Sequence, residues 1–141
     1  MNVLDTNVVA EALRVQPSPQ VMGWLSRQDE YDLHLTAISQ AELLFGMAVF
    51  PAGKHRRAKE RALEALLKDV FADRVPPFDG KATRSSAVLF ASARSCGLAV
   101  KSADGQIAAI DATHGVPVAT RETSPTVTMG LTIIDPWQPQ A

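Results

Sequence analysis

An α/β fold, one α/β/α sandwich around a central and mostly parallel sheet, is what the order of segments in this chain predicts. Three observations carry that expectation. Short apolar runs at Val3–Leu4, Leu33–Thr36, Val116–Ala119 and Leu131–Ile134 alternate with longer stretches of helical periodicity, and strands separated by helices join in parallel with helices on both faces. Proline and glycine are scattered between these segments as punctuation, so residues 1–141 read as a single domain. The length of 141 residues, with 46% hydrophobic side chains, suits one core burying roughly 68–70% of the unfolded surface.

Taken in order, the Val3–Leu4 strand ends at Asp5, and Asn7 to Leu13 then carries helical spacing, with Asp5 or Thr6 able to cap it. Ser18 is placed to cap a helix reaching about Gln28, whose apolar positions are Val21, Met22, Trp24 and Leu25. Leu33–Thr36 is the second strand. Ile38 to Phe50 is apolar on almost every side, which suits a helix covered by its own domain on one face and by a second subunit on another, so a homodimer through this region is expected. After Pro51-Ala52-Gly53 a long helix should run from about Lys54 to Ala72 with Leu63, Leu66, Leu67 and Val70 as its stripe. Val75–Phe78 reads as an extended link. A helix over Gly80–Ser95 stops at Gly97, a strand follows at Leu98–Val100, and a helix over Ala103–His114 ends at Gly115. Val116–Ala119 and Leu131–Ile134 supply the last strands before Asp135-Pro136-Trp137.

Composition removes several classes of function. Fourteen Lys and Arg against 15 Asp and Glu leave a net charge of -1, so the chain has no global attraction for polyanions and any nucleic-acid contact must come from a local patch. The longest apolar stretch, Leu43 to Phe50, is far shorter than the ~20 residues a membrane span needs. A single cysteine, Cys96, and an early charge at Asp5 argue against secretion and for a cytoplasmic protein without internal disulfides.

In open α/β sheets the ligand crevice lies beyond the carboxyl ends of the strands, so acids just after strands are the ones to weigh. Asp5 follows the first strand, Glu42 lies on the helix after the second, Asp104 opens a helix after the expected Leu98–Val100 strand, and Glu122 follows Val116–Ala119. Singly, each has an ordinary explanation: Asp5 as an N-cap, Asp104 as an acid favoured by a helix dipole, Glu42 as a rim residue. Together they would raise each other's pKa unless positive charge were supplied, and oxygen ligands without Cys or His at ligand spacing suit Mg²⁺ or Mn²⁺ rather than Zn²⁺. Such a site leaves coordination positions open for phosphate.

Asp5-Thr6-Asn7, Ala41-Glu42-Leu43, Ala103-Asp104-Gly105-Gln106-Ile107-Ala108-Ala109 and Val118-Ala119-Thr120-Arg121-Glu122, in that order and spacing, resemble the PIN-domain ribonucleases, in particular the VapC/FitB-like type II toxins. The resemblance covers essentially the whole chain, including Pro76-Pro77-Phe78-Asp79 and Pro136-Trp137. It implies clustered acids that bind Mg²⁺ or Mn²⁺ and cleave RNA. Asp5, Glu42 and Asp104 match the family's catalytic acids directly, with Asp5 and Asp104 as principal metal ligands; Glu122 stands where the fourth acid is usually Asp. It also implies a cognate antitoxin whose C-terminal arm fills the acidic groove. Asp111 stands where the family has a small residue, and two turns from Asp104, roughly 10.5 Å along a helix, it is expected at the surface or behind the site.

Thr6, Asn7 and Thr120 offer neutral groups able to orient the acids from behind, and are equally ordinary turn and cap residues. Lys54, Arg56 and Arg57, continued by Lys59 and Arg61, could guide an RNA backbone, although opposite an apolar stripe they also read as a solvated face. Two other functions fit less well. An aspartyl-phosphate phosphotransfer domain of the receiver or haloacid type would want a second acid two residues after Asp5, where Asn7 stands. A catalytically weak binding module on the PIN scaffold would follow if Glu122 displaced the metal geometry.

Overall fold

A computed structural model describes residues 1–72, 74–121 and 130–139. Among the described residues four parallel strands form one sheet in the order β2-β1-β3-β4: β1 (Asn2–Leu4), β2 (Leu33–His34), β3 (Val118–Ala119) and β4 (Ile133–Ile134). Val3 pairs with His34 on one side and Val118 on the other, and Ala119 pairs with Ile134. The Val3 amide donates to the Pro117 carbonyl at 3.0 Å, and the Asp5 amide to the Ala119 carbonyl at 2.9 Å. Val3, Leu4, Val118 and Ala119 are buried, as expected of central parallel strands covered on both faces.

Six α-helices accompany the sheet among the described residues: α1 (Thr6–Ala12), α2 (Pro19–Ser26), α3 (Ala37–Val49), α4 (Lys54–Ala65), α5 (Gly80–Ser95) and α6 (Ser102–His114). Leu4, Val8, Val9, Val21, Trp24, Leu33, Leu35, Leu43, Leu63 and Phe71 form a common core. Asp5 stands at the N-cap of α1. Ser18 stands at the N-cap of α2, but its hydroxyl donates to Gln20 instead of capping, and Pro19 begins the helix. Asp79 caps α5 by accepting from the Ala82 amide at 3.0 Å, and α6 ends on left-handed Gly115 (φ 63°).

The expected helix over Lys54–Ala72 is not uniform: α4 stops at Ala65 and the chain continues through a π-helical turn, Leu66–Val70. Arg74 explains part of that geometry, since its guanidinium returns to the Val70 carbonyl. The expected second strand ends early, because the Leu35 and Ala37 amides turn to the carbonyls of Arg74 and Pro76. No strand forms at Leu98–Val100. The Leu98 amide bonds to the Ala93 carbonyl and the Gly97 amide to Arg94, so these residues close the end of α5 in a Schellman motif and Leu98 stays exposed.

Two features of packing bear on function. Helix α5 lies along α6 so closely that a Cβ at Gly105 would collide with the Phe90 ring. An apolar recess of about 460 Å³ opens between α1, α2, β2 and the α4–π segment, lined by Val9, Leu13, Met22, Leu25, Leu66 and Val70, with Glu30 and Asp69 also on its wall.

Candidate functional site

Helix α6 ends at His114, just before β3 starts at Val118, so it runs antiparallel to the strands and begins at the carboxyl edge, where Asp5 leaves β1. Helix α3 starts at the same edge after β2, capped by Thr36, whose Oγ1 accepts from the Ser39 amide at 3.0 Å. Topology therefore brings the starts of α1, α3 and α6 to this end of the sheet; Asp5 caps α1, Asp104 lies in the first turn of α6, and Glu42 lies in the second turn of α3.

Asp5 is fixed from several directions. Its Oδ1 accepts from the Thr6 amide at 2.8 Å; its Oδ2 accepts from the Thr120 hydroxyl at 2.8 Å and the Asn7 side-chain amide at 3.1 Å. Asn7 also reaches Thr120 Oγ1 at 3.3 Å, so the three polar side chains form a closed triangle spanning β1, α1 and β3. The Thr6 hydroxyl donates to Glu42 Oε1 at 2.9 Å, linking α1 to α3. Glu42 is exposed and Asp5 half-buried, which resolves how an acid can interrupt the apolar face of α3: it sits at the rim with a donor of its own.

Asp104 lies in the first turn of α6, half-buried, on a helix that packs against α3. Among the described residues no three His, Cys, Asp or Glu side chains are gathered as a ready ligand shell. Asp5 and Glu42 are linked through Thr6, and Asp104 lies in the first turn of α6, at the same edge of the sheet. Glu122 lies outside the described residues. The donor chemistry suits a hard divalent cation: carboxylates backed by hydroxyls and an amide, with no soft ligand among them. The buried Asn7 Oδ1, which accepts no hydrogen bond from a described group, adds a further neutral oxygen beside Asp5.

Asp111 was expected either at the surface or behind the site, and the structure places it inside the fold. It is fully buried, and neither carboxyl oxygen meets a hydrogen-bond donor among the described residues. Burial first, and the charge of Asp5 second, push its pKa up to about 8. The signal was available: Ile107 and Ala108, one turn before it, lie on the buried face of α6.

The basic segment sits apart from this constellation. Arg56 donates to Glu60 at 2.6 Å and to the Phe50 carbonyl at 3.2 Å, and Lys59 lies 5.0 Å over the Phe50 ring. Lys54 and Arg57 are exposed. His34, the last residue of β2, hydrogen-bonds the Asp32 carbonyl and has a pKa lowered chiefly by burial; Cys96 is exposed at the end of α5.

Residues 3–125 match the family described as PIN domain. Over 139 residues, 99% of both chains, the sequence is 47% identical to VapC ribonuclease Y4jK of Sinorhizobium fredii. It is 36% identical to Toxin FitB of Neisseria gonorrhoeae, covering 97% of this chain and 99% of that one. The fold superposes on the structure of FitAB bound to an IR36 DNA fragment with a TM-score of 0.94 at 34% identity, covering 100% of this chain and 99% of the other. With geometry, family and full-length relatives in agreement, the chain belongs to the PIN-domain family, among the VapC and FitB toxins.

Proposed function

We propose that this protein is a divalent-cation-dependent endoribonuclease, the toxin of a type II toxin–antitoxin pair. The observation that carries the reading is the Asp5 carboxylate, anchored by Thr6, Asn7 and Thr120 and tied through Thr6 to Glu42, on a chain similar throughout its length to a VapC ribonuclease. Asp5 and Asp104 would hold Mg²⁺ or Mn²⁺, with Glu42 and Glu122 binding a second ion or orienting water. A divalent cation there lowers the pKa of bound water and offsets charge on the scissile phosphate. The protein's own work is positional. Thr6 keeps Glu42 turned toward Asp5, and the Asn7–Thr120 pair holds Asp5 Oδ2 in one orientation as substrate arrives.

A cognate antitoxin is the expected partner, as FitB is solved within FitAB. Its basic arm would neutralise the acidic edge, and an apolar stretch would suit the recess whose wall carries Glu30 and Asp69. A second copy of the chain would cover Leu44, Phe45 and Val49, which α3 leaves exposed. The setting is the cytoplasm; no described helix is long and apolar enough to cross a membrane.

Total RNA incubated with the wild-type protein and with Asp5→Asn, with and without Mn²⁺, tests the reading. New RNA ends should map only with wild type plus cation, and Asp5→Asn should lower the cleavage rate at least about 100-fold. Cleavage that ignores both the cation and Asp5 would overturn it.

A further inference from the structure

Arg121 follows Thr120, the residue whose hydroxyl holds Asp5, and its side chain is exposed at the carboxyl edge. Its guanidinium carbon lies 5.1 Å over the ring of Trp137. Trp137 leaves the sheet at the same edge, because β3 and β4 are parallel neighbours in register at Ala119 and Ile134. The ring is steadied from below, where it packs against the core, and through its own backbone amide, which donates to Asp135 Oδ1 at 2.9 Å. The one acid on α1 that senses Arg121, Glu11, is already occupied: it takes Arg14 at 3.1 Å and the Ser18 amide at 3.0 Å, and the charge of Arg121 is the least of the influences lowering its pKa.

From this juxtaposition we infer that Arg121, oriented by Trp137, binds a phosphate of the RNA strand as it enters the acidic site. The inference rests on the ribonuclease reading. A pocket of carboxylates repels a polyanion, so the strand needs a cation at its mouth, and a guanidinium held over an indole ring keeps N–H groups free for bonds to phosphate oxygens. Of the α4 cations, Arg56 is spent on Glu60 and the Phe50 carbonyl. Arg121 stands one residue from a side chain bonded to Asp5.

Fluorescence anisotropy with an end-labelled, short single-stranded RNA of mixed sequence tests this, in chelator so that no turnover occurs. Arg121→Ala should weaken binding about tenfold and reduce the slope of log affinity against log salt by about one, the signature of one lost phosphate contact. Arg121→Lys should restore the salt slope while recovering only part of the affinity, because a lysine keeps the charge and loses the fork. Trp137→Phe, which retains apolar packing, should fall between Arg121→Lys and wild type. Equal affinity and equal slope for wild type and Arg121→Ala overturn the assignment. So does a lowered melting temperature in Arg121→Ala with no recovery of slope in Arg121→Lys, which makes the residue a structural clamp. A wild-type protein that neither binds nor cleaves RNA overturns the ribonuclease reading itself.

Discussion

Asp5 performs two tasks with one carboxylate, starting α1 at its N-cap and tying that helix to Thr120 after β3. Its position was legible because an acid ending a short apolar run and preceding helical spacing has few other uses. The partners were legible only as residue types, since Thr6, Asn7 and Thr120 serve turns as readily as they orient acids, and Thr120 is distant in sequence. Thr6→Val keeps the side-chain shape and deletes the donor to Glu42. It should slow RNA cleavage about tenfold, the rate equivalent of ~1.4 kcal/mol, while urea unfolding shifts by less than ~1 kcal/mol. Spacing from Asp104 left Asp111 either at the surface or behind the site, and the buried residues one turn back, Ile107 and Ala108, decide for the interior. The sign of its effect on stability follows from its carboxyl titrating near 3.8 when unfolded and about 8 when folded. Between those values the folded state holds a proton the unfolded state has released, so stability falls as pH rises, by about 1.4 kcal/mol per unit, until both forms are ionised. Thermal unfolding from pH 5 to 8 should show that decline in wild type, and a flatter dependence in Asp111→Asn.

Helices were far easier to read than strands, for a reason visible in their lengths. A helix such as α5 offers many residues of periodic signal and distinct ends, Asp79 and Gly97, and its bounds match expectation. The strands span two or three residues, too few for alternation to register, so Leu98–Val100 could not be told from a true strand by its apolar character. What separates them is tertiary: Val118 finds Val3 and Ile133 on either side, while Leu98 is taken up in ending a helix. Close approach of α5 and α6 was equally invisible, although Gly105 beside Asp104 marks it. Replacing that glycine by alanine removes a helix-weakening residue worth up to ~1 kcal/mol but forces the Phe90 ring aside at a cost of about 1–3 kcal/mol. Gly105→Ala should therefore lower the urea midpoint. Because Asp104 is its neighbour, calorimetry should also show weaker Mn²⁺ binding than in the wild type.

For the molecule as a whole, sequence order conveyed the α/β fold, and the apolar circumference of α3 hinted that the surface is not finished within one chain. Phe45 and Val49, about two-thirds exposed, are a large apolar display for a protein with so balanced a charge. Sedimentation at micromolar concentration should find a dimer for wild type and a monomer for Phe45→Glu; a monomeric wild type would refute the pairing. The flanks of the sheet tell the opposite story. Among the described residues both outermost strands are two residues long, and the chain beyond β2 is already engaged by the carbonyls of Arg74 and Pro76. Such a rim offers little template for a foreign strand to extend. Accumulation at high level should proceed without the fibrous self-assembly that long naked ladders invite.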